Sequence, residues 1–155
     1  MTNRSKNLII IVLLMAGSVV FAGFALFAGS QGQEQSYQMS GGALAIFLKV
    51  FPVFGKLSYT KQMFYIRRMA HAFLYSGMGL FFSGWVMRCI RKRPVAIAVS
   101  VMGPLIVSCL DELVIQVGAA GRNGSIKDVF FDMIFVCVMV AVTAVVSKKV
   151  NKRDR

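Results

Sequence analysis

Six carboxyl side chains occur in the chain, Glu34, Asp111, Glu112, Asp128, Asp132 and Asp154, against a single histidine, His71. Four of those acids crowd into SCLDELVIQVGAAGRNGSIKDVFFDM, residues 108–133, together with Arg122, and both ends of that stretch run into apolar sequence. An imidazole titrates near neutrality, so beside a carboxylate it can act as a general acid or base. Arginine offers paired N–H donors that suit an anionic group. Acid, base and anion-holding residues are therefore all present, in a sequence otherwise poor in charge.

Spacing places them on shared faces. Arg67, His71 and Tyr75 recur every four residues and stack along one side of a helix, with Arg68 beside them. Glu112 with Gln116, and Asp128 with Asp132, form two more such pairs. Ser125 is placed to cap a helix, with Asp128 three residues on at the capping-box position. One histidine with no thiolate close by argues against zinc, and no metal or cofactor is expected. No phosphate loop, nucleophile elbow or HExxH pattern is present. Cys89, Cys109 and Cys137 have no metal-like spacing and read as small hydrophobes.

The elements that must position these groups belong to a membrane protein. Of the 155 residues, 57% are hydrophobic and only 15% charged, against roughly 25% in a soluble domain. One all-α domain of four transmembrane helices is expected, with spans near 8–28, 67–87, 95–117 and 129–147. Residues 8–28 carry no charge and are long enough for the ~30 Å hydrocarbon core at ~1.5 Å per residue. A cleaved signal peptide is the rival reading for this segment, but its apolar run exceeds the usual ~7–15 residues. The formal charge of +12 does not indicate nucleic acid. Arg4 and Lys6, then Arg88, Arg91, Lys92 and Arg93, then Lys148, Lys149, Lys152, Arg153 and Arg155 flank alternate ends of the apolar runs. That pattern puts both termini in the cytoplasm of a multi-pass protein.

Between the first two spans, SQGQEQSYQMSGG (30–42) reads as an exposed loop. ALAIFLKVFPVFG (43–55) is too short to cross and is broken by Pro52, so it either lies in the interface or re-enters partway. A long helix is expected from Thr60 through Met87, capped by Ser58 or Thr60. Pro104 should kink the third span, with the Ser100 hydroxyl placed to satisfy a freed backbone group.

With this topology His71, Asp111, Glu112, Arg122 and Asp132 arrive at one depth, the outer end of the bundle. An ion facing lipid costs at least ~2.5–3.5 kcal/mol, so the acids should turn inward and pair with Arg67, Arg68, His71 or Arg122. A register-fixing ion network is the plainer alternative to a functional pocket.

These same residues carry a resemblance to the VanZ-like membrane proteins, associated with low-level teicoplanin resistance. Four landmarks are similar to the family's, in order, across nearly the whole chain. They are Ser30-Gln31 with Ser36 and Ser40, then Arg68, His71 and Tyr75, then Asp111-Glu112 with Gln116, then Gly121-Arg122 with Asp128 and Asp132. Departures are Leu74 in place of an acid, one extra residue between the Asp-Glu and Gly-Arg pairs, and Phe135 and Met139 where small residues are usual. The resemblance implies a role at the cell envelope in tolerance of teicoplanin-type glycopeptides.

Combined with the chemistry above, His71, Asp111 and Glu112 become the candidate catalytic residues. Arg68, Tyr75, Gln116, Arg122, Asp128 and Asp132 become the candidate substrate-binding ones. The partners expected are membrane lipids and a lipid-linked envelope precursor or lipoglycopeptide. Three readings stay open: an enzyme acting on an envelope lipid, a non-catalytic binder of lipid or lipoglycopeptide, and a structural or partner-binding bundle.

Overall fold

The computed structural model describes residues 3–153, with side chains described for residues 4–148. Asp154 and Arg155, and the side chains of Lys149, Lys152 and Arg153 in the closing basic cluster, lie outside the described residues. The described residues form helices and no strand. Helix α1 spans Asn3–Ser30, α2 Gln33–Val50, α3 Tyr59–Cys89 and α4 Arg93–Leu110. A π-helical turn, Asp111–Ile115, continues α4 into the short α5, Gln116–Gly118, and α6 spans Ile126–Arg153.

Among the described residues, three helical stretches are long and apolar enough to cross a membrane: Arg4–Ser30, Arg93–Gly118 and Ile126–Lys148. Their outward faces carry large exposed hydrophobics, such as Val19, Val20, Ile106 and Phe130. Such faces fit lipid rather than water.

The fourth long helix, α3, is the central one and packs against α1, α2, α4 and α6. Its sequence is less apolar because it carries Lys61, Arg67, Arg68, His71 and Arg88 together with a run of small residues. Those small residues let neighbours approach closely. Gly77 lies against the Phe21 ring of α1 and Gly84 against Leu14. A Cβ on Gly79 would sit 3.0 Å from the Val136 Cα and 3.2 Å from its carbonyl oxygen, so backbone meets backbone there. Met139 shares this contact, its Cβ 3.4 Å from a Cβ built on Gly79, so α3 and α6 approach closely at Gly79 with Met139 in place. Tyr75, Met78, Val136 and Val140, with Ala25 of α1, form the apolar core beneath the charged end. Along α6 the buried positions are Val129, Asp132, Val136 and Val140, a single helical stripe.

The polar stretch after α1 is not an exposed loop. Gln33–Gly42 belongs to α2, continuous through Val50. No proline interrupts this segment, and two adjacent glycines do not outweigh the helix formers around them. The helix stops where Pro52 opens a 3₁₀ turn, Pro52–Lys56. The α2 start is tied to the far end of the chain by the Gln33 N–H, which donates to the Ala120 carbonyl at 2.9 Å. Ser58 is the N-cap of α3, but its hydroxyl makes no capping bond.

Helix α4 runs on through Pro104, which is buried. The Ser100 hydroxyl donates to the Ala96 carbonyl at 2.7 Å, and so does not cover the Ser100 carbonyl that Pro104 leaves without its N–H partner. The irregular turn comes later, at Asp111–Ile115, where the Gln116 N–H reaches back to the Asp111 carbonyl. Cys89, Cys109 and Cys137 are free thiols.

Candidate functional site

Three helix ends, the C-terminal ends of α1 and α4 and the N-terminal end of α6, converge at the level of His71 within α3. Asp111, Glu112 and Asp132 are each buried to 1% exposure or less there, and Gln116 and Arg122 are buried beside them. His71 Nδ1 lies 3.3 Å from Asp132 Oδ1 and 3.6 Å from Glu112 Oε1. The Ser108 hydroxyl donates to Asp132 Oδ2 at 2.9 Å, and the Gln116 amide to Glu112 Oε1 at 2.6 Å. Tyr75 donates its hydroxyl to Asp111 Oδ2 at 3.1 Å, with its ring stacked on His71 at 6.1 Å between centroids. The Arg-His-Tyr spacing on α3 thus produces a working stripe, with a different acid opposite each of its last two residues.

The π turn accounts for how Asp111 and Glu112 both face inward. A turn with the i→i+5 bond holds about one residue more than an α turn, which lets two neighbours share the inner face. Across the same turn Gln116 reaches Glu112. Gly29 of α1 gives Asp111 its space, since any Cβ at Gly29 would overlap the Asp111 carboxylate.

Two expected roles are filled differently, that of Arg122 as partner of an acid and that of Asp128 as the capping-box acid, while the expected pairing of an acid with Arg68 is present. Arg122 does not bond an acid. Its Nη1 donates to the carbonyls of Ala28, Gly29 and Gln31, at 2.8, 3.1 and 3.3 Å. These are the carbonyls left open at the α1 C-terminus, where a cation also meets the negative end of the helix dipole. Gly121 makes the turn possible with φ +72°, a conformation that glycine enters without cost to a side chain. Burial, with Arg67 nearby, lowers the Arg122 pKa from its ordinary value. Asp128, for its part, forms an ion pair with Arg68 rather than closing a capping box. Ser125 caps α6 through its hydroxyl, which accepts from the Lys127 N–H at 3.2 Å. Arg68 also lies over the Phe131 ring, 4.8 Å from its centroid, and Arg67 over Tyr37 at 6.0 Å.

Ser108 belongs to this cluster and was missed as a site residue. Its position three residues before Asp111 and four before Glu112 on one helical face was the available signal.

Two cavities open onto the cluster. The first, about 280 Å³, is polar and lined by Arg67, Arg68, His71, Glu112, Gln116 and Arg122, among others. The second, about 460 Å³, is an apolar groove between α1, α2 and α3, lined by Phe21, Phe24, Met39, Ala43, Phe73 and Leu74 with Ser36 and Ser40. Arg67, His71 and Arg122 line both. No family model, curated protein or solved structure matches the chain. The family resemblance therefore rests on the residues themselves.

Proposed function

We propose that the chain is a VanZ-like membrane protein of four spans, with α3 as the fourth, whose charged end faces the outside. In this reading it takes an amphiphilic envelope ligand, a lipid or lipid-linked molecule, and thereby raises tolerance of teicoplanin-type glycopeptides. The observation that carries it is the junction of a polar cavity with an apolar groove at three shared residues, Arg67, His71 and Arg122. A ligand with an anionic head and a hydrocarbon tail fits that division, the head among the guanidinium groups and the tail along Phe21, Phe24 and Phe73. The serines of the first landmark support it too, since Ser36 and Ser40 line the groove. As the central helix, α3 keeps Arg67, Arg68 and His71 half-buried against its neighbours and leaves Lys61 and Arg88 exposed near its ends, which suits a span packed within a bundle.

The test is teicoplanin susceptibility in cells carrying wild type or His71→Ala at matched membrane levels. Wild type is expected to raise tolerance and the variant to return it to the empty-vector value. Equal tolerance from both would remove His71 from the function. No change from either would leave the fold without this task.

A further inference from the structure

The geometry points to a divalent metal site formed by His71, Glu112 and Asp132, and we propose that it binds one transition-metal cation of the zinc or manganese kind. One donor atom from each residue lies within 4.8 Å of the other two. The His71 Nδ1 separations, 3.3 and 3.6 Å, match the donor-to-donor spacing of about 3.3–3.5 Å around an ion held at ~2.0–2.2 Å. Three residues from three different elements, α3, the π turn and α6, therefore converge on one point, with His71 at coordinating spacing from both carboxylates.

Charge balance supports a cation there. Glu112 and Asp132 both direct an oxygen to a single imidazole nitrogen. Among the described residues no lysine or arginine forms an ion pair with either, because Arg68 is taken by Asp128 and Arg122 donates to the α1 carbonyls. Even with His71 protonated, two ionised carboxylates leave a net negative charge in a low-dielectric site. Glu112 Oε2 is also buried with no hydrogen-bond partner. A metal ion supplies the charge, and one held by both Glu112 oxygens would supply the missing contact at Oε2 as well.

The supporting bonds are those of a ligand set held in place. Ser108 fixes Asp132 and Gln116 fixes Glu112, the role that outer hydrogen bonds play around bound metals. His71 and Glu112 both line the polar cavity, which leaves an entry path and an open coordination position. The imidazole among the three donors favours a transition metal such as zinc over calcium or magnesium, while the two carboxylates suit manganese. A proton shared among the three side chains is the competing occupant.

The experiment uses full-length, tag-free protein in detergent, stripped with chelator and titrated with Zn²⁺, Mn²⁺ or Ca²⁺ alone. Bound metal is counted by mass spectrometry of the elements, and the Mn²⁺ environment is read by electron paramagnetic resonance. One Zn²⁺ or Mn²⁺ per chain is expected, with Ca²⁺ bound far more weakly. His71→Ala and Glu112→Gln should abolish stoichiometric uptake, Ser108→Ala should weaken it about 10–100-fold, and Glu34→Gln should leave it intact. Gel filtration checks that each variant is folded. Wild type that takes up no stoichiometric ion overturns the proposal and favours the shared proton. So does uptake unchanged in a folded Glu112→Gln protein.

Discussion

Asp132→Ala is expected to destabilise the detergent-solubilised protein by about 2 kcal/mol, the cost of leaving buried polar partners unsatisfied. Asp132 is fully buried and serves two neighbours at once, Ser108 and His71. Removing the carboxylate strands the Ser108 hydroxyl between α4 and α6 and frees the His71 ring from its nearest acid. Asp132→Asn keeps an oxygen for Ser108, so its loss of stability should be less than half as large. Function separates the two differently. Both variants lack the charge that orients His71, so on the function proposed above both should lose the gain in teicoplanin tolerance. Thermal unfolding of the three proteins, beside susceptibility at matched membrane levels, checks this. An Asn variant as unstable as the Ala variant would mean that charge, not hydrogen bonding, holds the helices together.

Arg122→Ala should act at the other side of the same site. Three carbonyls at the end of α1 lose their donor, and bonds to a charged group contribute about 1.5–3 kcal/mol. The loss should appear as faster amide exchange over the last turn of α1 and the start of α2, with the α3–α6 contact unaffected. Arg122→Lys keeps the positive charge but lacks the forked guanidinium, so it should fall between the two. Because Arg122 also lines both cavities, each variant should weaken an anionic ligand, Ala more than Lys. Exchange that is unchanged in Arg122→Ala would show that the α1 end is held by other contacts.

Much of the architecture was legible in the sequence, for a physical reason. Long apolar runs bounded by Lys and Arg leave few alternatives to helices. Three of the four expected spans fall in stretches long and apolar enough to cross a membrane, in α1, in α4 continued through α5, and in α6, while the expected span 67–87 lies within the less apolar α3. The inward meeting of His71, Asp111, Glu112 and Asp132 was legible as well, since ions on those helices cannot face lipid cheaply. Gln33–Gly42 was misread because its polarity signals exposure, and exposure does not by itself break a helix. The Arg122 partners were hidden because they are backbone carbonyls 91 to 94 residues away, which no side-chain pattern announces. The π turn was hidden too, since it depends on how two adjacent acids are both accommodated. Ser108 was in plain view by spacing, yet a lone serine in an apolar run carries little signal until an acid from another helix meets it.

The most direct test of the central claim is binding of phosphatidylglycerol, with phosphatidylcholine as the zwitterionic control, to wild type and Ala43→Trp in detergent. Ala43 lines the apolar groove and not the polar cavity, so a tryptophan there is aimed at the tail site rather than the head site. Wild type is predicted to hold about one anionic lipid per chain in preference to the control, and Ala43→Trp to bind it at least tenfold more weakly. Equal binding of the two lipids, or binding that Ala43→Trp leaves unchanged, would contradict an amphiphile site built from the joined cavities.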